Sequence, residues 1–234
     1  MTTAPATLAA RILPLTRAVT LALVVGFALL TALLAQVAIP LWFTPVPITG
    51  QTFSVLLAGA VLGWRAGAAS MSLYWVLGAT GLPFYAEARG GWNVATGATG
   101  GYLIGFVAAA ALIGYLAERR QDRSVATAIP AFLAGSVLIY IFGLVWLAQT
   151  LDVGTARAME LGLAPFVIGD LVKVALAGVA LPVAWRAVGV SPRRRRGEYP
   201  EGAERSEGEG GVSPRRRRGE YPEGAERSEG EGGG

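Results

Sequence analysis

The chain has 234 residues and a formal net charge of +4, and it contains neither cysteine nor histidine. Without cysteine there can be no disulfide, thiolate nucleophile or iron–sulfur cluster, and without histidine there is no imidazole base and no histidine-ligated metal. The sequence also lacks the G-x-x-x-x-G-K-[ST] motif of nucleotide-hydrolysing proteins. We therefore expect neither an enzyme nor a cofactor, and any ATP-driven step must come from partner subunits.

Charge divides the chain into two regions. Residues 1–188 contain only 10 basic and 6 acidic residues, which is the low charge density of a membrane protein. Residues 189–234 consist of the segment GVSPRRRRGEYPEGAERSEGEG, an identical second copy and two glycines. We predict a transmembrane domain at 1–188 and a disordered cytoplasmic tail at 189–234. Its arginine blocks could bind anionic lipid or nucleic acid, but glutamates follow each block, so we expect a solvated tail and no nucleic-acid partner.

Six apolar runs predict an all-α membrane protein with six transmembrane helices. They cover residues 19–39, 51–63, 66–81, 100–117, 129–150 and 165–188, and they are numbered here as spans one to six. The second and third runs are short, so they form either two helices around a tight turn at Trp64-Arg65 or one re-entrant hairpin. The first run leads into more membrane sequence without a cleavage site and is therefore kept as a span.

Arginine positions indicate the orientation, because short cytoplasmic loops are enriched in lysine and arginine. With six spans, one side of the membrane carries only Arg89 and Arg157. The other side carries Arg11, Arg17, Arg65, Arg119, Arg120, Arg123 and Arg186. We predict a multi-pass protein of the cytoplasmic (inner) membrane with both termini in the cytoplasm.

Two charges within span six are the first candidates for a functional site. Asp170 and Lys173 are three residues apart, so they share a helix face and can pair. A charge inside a spanning helix costs about 2.5–3.5 kcal/mol on insertion scales, and such residues usually serve a function. The two residues form either a neutralised pair near a helix start or a polar anchor for a ligand.

The loop between spans three and four is rich in aromatic and polar residues. Its glycines and prolines predict a loop, and its length and outer position suit an extracellular lid over a cavity. An aromatic belt at the membrane surface would have a similar composition. The residues concerned are Phe84, Tyr85, Arg89, Trp92 and Asn93, with Tyr102 following.

A further polar cluster lies between spans one and two, where two prolines delay the start of a helix. Gln51 and Thr52 lie four and five residues after the second proline, Pro47. The amide of Gln51 would be costly to bury without a partner, so we expect Gln51 to face a polar site.

Several short motifs follow one another along residues 10–188. They are Ile39-Pro40, Val46-Pro47-Ile48-Thr49-Gly50-Gln51-Thr52-Phe53, Leu56-Leu57-Ala58-Gly59, Gly81-Leu82-Pro83-Phe84, Gly90-Gly91, Thr99-Gly100-Gly101-Tyr102-Leu103-Ile104-Gly105-Phe106, and Gly169-Asp170 with Lys173. This succession resembles the BioY family, the biotin-specific membrane components of energy-coupling factor (ECF) vitamin transporters.

The resemblance implies a six-helix substrate-binding (S) component that captures biotin at the outer face and transfers it inward. It implies that Asp170 and Lys173 meet the ureido ring and that Asn93, Arg89 and Tyr102 are candidates for the biotin carboxylate. Gln51 and the aromatic residues Phe84, Tyr85 and Trp92 complete the predicted binding residues. Its expected partners are biotin, a transmembrane coupling subunit, ATPase subunits and the lipid bilayer.

Small residues spaced by four on span one are candidates for docking to the coupling subunit, because they let helices approach closely. They are Ala18, Ala22 and Gly26, and also Ala28 and Ala32. Two other interpretations remain open: a carrier of the same architecture for another vitamin or small metabolite, and a membrane scaffold without a ligand.

Overall fold

Helices and one hairpin follow one another along residues 7–189, the part of the chain that this computed structural model describes. Their order is α1 (Leu8–Ile12), α2 (Arg17–Ala35), β1 (Ala38–Leu41), β2 (Thr44–Thr49), α3 (Gln51–Leu62), α4 (Trp64–Ala79), a 3₁₀ turn (Ala86–Ala88), α5 (Trp92–Ala95), α6 (Gly100–Glu118), α7 (Val125–Leu151), α8 (Thr155–Gly162) and α9 (Val167–Ala187). The predicted tail lies outside the described residues except for Gly189.

Four helices of the described region are long and apolar enough to cross a membrane, namely α2, α6, α7 and α9. The short runs predicted as spans two and three form two separate helices, α3 with 12 residues and α4 with 16. At 1.5 Å per residue these helices measure about 18 and 24 Å, less than a hydrocarbon core of about 30 Å. Membrane crossing by all six segments therefore stays a prediction.

Gly63 makes the sharp turn between α3 and α4. Its φ of 86° lies in the left-handed region, and an added Cβ would lie 2.5 Å from Glu118 Oε1. The same Glu118 oxygen accepts a hydrogen bond of 3.1 Å from the backbone N–H of Trp64 at the start of α4. The turn thus joins both short helices to the end of α6.

Helix α6 lies at the centre of the bundle and packs against α3, α4 and α7. Glycines make this close packing possible because a larger side chain would collide with backbone. A Cβ on Gly114 would lie 2.3 Å from the Trp64 nitrogen, and one on Gly59 would lie 2.6 Å from the Ala110 oxygen. On the other side of α6, a Cβ on Gly101 would lie 2.4 Å from the Phe142 oxygen of α7.

The expectation of an all-α protein is wrong for residues 38–49, which form a two-stranded antiparallel hairpin. Ala38 pairs with Thr49 and Ile39 with Ile48, so span one ends as a helix at Ala35 rather than at residue 39. Prolines 40, 45 and 47 explain the change, because proline lacks the N–H that helix and central-strand hydrogen bonds need, whereas a hairpin edge tolerates it.

The end of the bundle away from the hairpin contains a buried acidic residue. Asp122, in the connection between α6 and α7, is 2% exposed, and its Oδ2 accepts a hydrogen bond from Trp185 Nε1 at 2.5 Å. The guanidinium carbon of Arg123 lies 4.2 Å from the centre of the Trp185 ring. These contacts fix the α6–α7 connection against the last turns of α9.

Candidate ligand-binding site

A cavity of about 700 Å³, including its open mouth, lies at the hairpin end of the bundle. Its wall combines apolar side chains with converging polar groups, which is the composition of small-molecule sites. The apolar part of its wall includes Val46, Leu103, Phe106, Ile139 and Phe166. The polar part consists of Thr49, Gln51, Thr52, Tyr85, Arg89, Thr99, Tyr102, Tyr140, Asp170 and Lys173.

Asp170 and Lys173 form a largely buried ion pair in the first turns of α9. Lys173 Nζ lies 2.7 Å from Asp170 Oδ1, and the two side chains are only 18% and 11% exposed, lysine first. An ion pair this sheltered needs further hydrogen bonds to offset the loss of hydration. The two charged residues that the sequence of span six predicts to pair are therefore paired in the structure, and both line the cavity.

Two hydroxyl groups from other helices complete the coordination of this pair. The hydroxyl of Thr52, on α3, donates to Asp170 Oδ1 at 3.2 Å and accepts from Lys173 Nζ at 3.0 Å. The hydroxyl of Tyr140, on α7, donates to Asp170 Oδ2. The cluster therefore joins α3, α7 and α9 in the wall of the cavity.

Gln51 lies in the cavity wall, and both polar atoms of its side-chain amide make a hydrogen bond. Its Oε1 accepts from the Thr49 hydroxyl at 2.7 Å, and its Nε2 donates to the Tyr74 hydroxyl at 2.5 Å. Tyr74 in turn donates to the backbone oxygen of Phe84 at 3.2 Å. Gln51 thus connects the start of α3 with the segment that follows α4.

Residues 85–89 form a tight turn, and Arg89 and Tyr85 line the cavity from this turn. Arg89 also pairs with Glu87 at 3.1 Å. Glu87 and Ala88 both have positive φ values, 59° and 54°, a conformation that costs energy for residues other than glycine.

Gln36, at the end of α2, holds this turn in place. Its Nε2 donates to the Tyr85 oxygen at 3.2 Å and to the Ala32 oxygen at 2.9 Å, while its Oε1 accepts from the Ala88 N–H at 2.9 Å. The ring of Tyr85 packs against Gly78, and its hydroxyl donates to the Trp75 oxygen at 2.6 Å. Burial raises the pKa of Tyr85 to about 12, so Tyr85 stays a neutral donor.

Tyr102 stands in the cavity wall on the first turn of α6. Its hydroxyl donates to the Gly162 oxygen at 2.9 Å, at the end of α8. Its ring packs against Gly143 and meets the Tyr140 ring edge to face, with 6.4 Å between the centres. Tyr102 therefore combines a structural bond to α8 with an aromatic surface that faces the cavity.

Three of the predicted binding residues do not line the cavity. Asn93 and Trp92 are exposed on α5, where the Trp92 ring contacts the Trp75 ring edge to face. Phe84 is half-buried and stacks on Tyr74. The short helix α5 turns Trp92 and Asn93 away from the cavity, and Arg89 is the cation of this loop that lines it.

The proposed docking residues on α2 separate into two sets, and this corrects part of the prediction. Ala28 is 0% exposed and Ala32 is 8% exposed, because that face of α2 packs inside the bundle. On the same buried face, the hydroxyls of Thr31 and Ser54 are 2.9 Å apart. Ala18 and Ala22 are exposed, as is Gly26. Only this second set lies on a surface that a partner could contact.

The polar chemistry of the cavity is that of one carboxylate, two cations and several hydroxyls. Among residues 7–189 no group of three or more acidic side chains could hold a metal ion. Asp170 and Lys173 neutralise each other, and Arg89, which pairs with Glu87 at 3.1 Å, is the further cation of the cavity wall that could meet an anionic group of a ligand.

Tyr140 and Thr52 are missing from the predicted binding residues, although both contact the charge pair. Tyr140 lies within an apolar run, and a lone tyrosine there reads equally well as a core aromatic. Its hydroxyl is the only signal that could have identified it, since a buried hydroxyl needs a partner. The fold, rather than the local sequence, decides that this partner is Asp170.

Known proteins similar to this chain include two biotin transporters. The biotin transporter BioY of Rhodobacter capsulatus is 42% identical over 166 residues, which cover 65% of this chain and 85% of the relative. The biotin transporter BioY of Thermotoga maritima is 40% identical over 145 residues, which cover 62% of this chain and 83% of the relative.

A solved structure and a family match extend the comparison to most of the described region. The crystal structure of the S-component for biotin from an ECF-type ABC transporter has a TM-score of 0.67 and 25% identity, with 74% of this chain and 95% of that chain covered. The sequence model of the BioY family matches residues 5–190. These matches confirm the resemblance drawn from the sequence motifs, and the chain belongs to the BioY family.

Proposed function

We propose that this chain captures biotin and takes part in its uptake as the substrate-specific component of an ECF transporter. The observation that carries the proposal is the buried Asp170–Lys173 pair with its two hydroxyl partners, in the wall of a cavity that Arg89 also lines. Membership of the BioY family supports the choice of biotin as the ligand.

The chemistry of biotin fits the kinds of group that line this cavity. Its ureido ring offers two N–H donors and one carbonyl acceptor, which match a carboxylate and an ammonium. Its bicycle and valerate chain are apolar and match a wall that includes Phe106, Ile139 and Phe166. Its carboxylate then reaches the guanidinium of Arg89, for which the exposed Asn93 is a second candidate only if α5 rearranges.

The proposal includes a topology. Spans one to six correspond to helices α2, α3, α4, α6, α7 and α9, and each of these helices crosses the cytoplasmic membrane. Both termini lie in the cytoplasm, and the cavity opens to the outside. The segment between α4 and α6, with the turn at residues 85–89, then acts as an extracellular lid. Arginines 65, 119, 120 and 186 lie on the inner side in this arrangement, in agreement with the charge bias of cytoplasmic loops.

Energy for uptake must come from partners in this account, because the chain has no P-loop. We propose a transmembrane coupling subunit and ATPase subunits as these partners. The exposed small residues Ala18, Ala22 and Gly26 on α2 form a smooth face on which a partner helix can pack closely.

Substitution of Asp170 tests the site. Asp170→Asn keeps the shape of the side chain but leaves the ammonium of Lys173 without its counter-charge, a loss of about 2–5 kcal/mol for buried pairs. We expect the affinity for labelled biotin to fall more than tenfold in equilibrium binding to the purified chain. Asp152→Asn, at an exposed αL position after α7, is the matched control and should bind as the wild type does. Equal affinity of Asp170→Asn and the control would remove Asp170 from the site.

A further inference from the structure

Chemistry alone assigns the protons in the cluster around Asp170. An ammonium only donates and a carboxylate only accepts, so the Thr52 oxygen must accept from Lys173 while its proton goes to Asp170 Oδ1. In the same way, the Tyr140 hydroxyl must give its proton to Asp170 Oδ2. Both hydroxyl groups therefore have one orientation each.

This assignment leaves the oxygen of Tyr140 available as an acceptor. It accepts no hydrogen bond from any group in residues 7–189, and the half-buried Tyr140 faces the cavity. Thr52 differs, because its oxygen already accepts from Lys173. The ammonium of Lys173 uses two of its three protons within the cluster, on Asp170 and Thr52, and keeps one for a ligand.

We propose that Tyr140 is a specificity-determining residue that contacts the ligand and accepts one ureido N–H. The inference rests on the proposed function, since it assigns a contact within the biotin site. The ligand N–H, the Tyr140 hydroxyl and the Asp170 carboxylate form a chain in which the charge of Asp170 polarises the tyrosine and makes its oxygen a better acceptor. Lys173 donates its remaining proton to the ureido carbonyl.

The consequence is selection for a ligand with an N–H at this place. A ligand that carries an ether oxygen there would leave the Tyr140 oxygen facing another acceptor in a largely apolar cavity. Sites built to bond a ligand group reject analogues that lack the group, because the buried partner is left unsatisfied. Tyr140 would thus discriminate a cyclic urea from a cyclic carbamate of nearly the same size.

The test compares biotin with its two carbamate analogues, in each of which one ureido N–H is replaced by a ring oxygen. We expect Tyr140→Phe, which keeps the ring, to lower the affinity for biotin about tenfold. It should lower the affinity equally for one carbamate, and it should lower the affinity least for the other, which lacks the contacted N–H and suffers only the common effect of removing a donor from Asp170. Tyr115→Phe, an exposed tyrosine on α6 whose ring lies beneath Arg119, is the matched control and should bind all three ligands as the wild type does.

A role that is only structural would give a different result. Thr52→Val removes a hydroxyl that holds the ion pair, so it should lower the affinities for the three ligands by a common factor. The inference would be overturned if Tyr140→Phe lowered the affinities for all three ligands by a common factor, or if it did not lower the affinity for biotin. In either case, binding of biotin by the wild-type chain would still uphold the proposed function. Tyr140→Leu, which also lacks the oxygen, must repeat the pattern and serves if the first variant does not fold.

Discussion

Asp170 and Lys173 owe their place in an apolar cavity to the hydroxyls around them. Burial of an ion pair costs more hydration free energy than the attraction between its two charges supplies, unless other polar groups hydrogen-bond to both charges. Here Thr52 and Tyr140 supply those groups from two neighbouring helices. Because these side chains already hydrogen-bond one another, binding of a ligand should spend little energy on ordering them.

Asp122 should make the stability of the chain depend on pH. Burial raises its pKa from 3.8 to about 6, against the lowering effect of the Trp185 hydrogen bond and of Arg123. The folded chain therefore binds this proton more tightly than the unfolded chain, and stabilisation present at low pH is lost as the pH rises through about 6. Between pH 4.5 and pH 7 the free energy of unfolding should fall by about 2 kcal/mol from this group.

Thermal unfolding of the detergent-purified chain at these two pH values measures the effect. Asp122→Asn cannot ionise, and its side-chain oxygen can still accept from Trp185. The melting temperature of the wild type should therefore fall from pH 4.5 to pH 7 by several degrees more than that of the variant. Parallel pH dependence in both proteins would show that Asp122 is ionised to the same extent in the folded and unfolded chain.

The turn at residues 85–89 depends on Gln36 for its strained conformation. Gln36 bonds the Tyr85 oxygen and the Ala88 N–H, beside the two residues with positive φ. Gln36→Ala should release the turn that carries Arg89 and speed the dissociation of biotin roughly fivefold, which corresponds to about 1 kcal/mol of net hydrogen bonding. A chase with unlabelled biotin measures this rate. Gln149→Ala, at an exposed position of α7, is the control, and equal rates in the two variants would contradict a lid held by Gln36.

Helices were predictable from the sequence where one property decided the outcome. Apolar length indicated α2, α6, α7 and α9, and a break at Trp64-Arg65 indicated the separation of α3 from α4. The hairpin at residues 38–49 was missed, because its strands are short and proline-rich and only their pairing makes them a sheet. The continuation of span one to residue 39 was wrong for the same reason.

The binding site was predictable only in part, because it is assembled from segments far apart in the chain. Asp170 and Lys173 were predictable, because a charged side chain within a spanning helix carries a free-energy cost and usually serves a function. No local signal places Tyr140 beside Asp170 or turns Asn93 away from the cavity, as both depend on how α7 and α5 pack. The spacing of Ala28 and Ala32 likewise cannot say which face of α2 is buried.

One exposed face of α2 is the proposed docking surface for the coupling subunit. An added Cβ on Gly26 meets no atom within 4 Å, so a larger side chain there projects outward without disturbing the bundle. Gly26→Leu should leave biotin binding of the isolated chain unchanged and reduce its recovery with a tagged coupling subunit at least fivefold. Full recovery of the complex would exclude this face as the docking surface.

Ala28→Leu supplies the contrast, because Ala28 is fully buried. Overpacking at such a site typically costs about 1–3 kcal/mol, so this variant should melt at a lower temperature and lose biotin binding and complex recovery together. A variant with normal stability and a selective loss of the complex would instead restore Ala28 to the docking surface.

Equilibrium binding of labelled biotin to the purified chain, with an excess of riboflavin or thiamine present, tests the assignment of biotin most directly. Our account predicts saturable binding that unlabelled biotin displaces and that neither of the other vitamins reduces. Displacement by riboflavin or thiamine would assign the cavity to another vitamin. The absence of saturable binding by the folded chain would contradict capture of biotin by this protein.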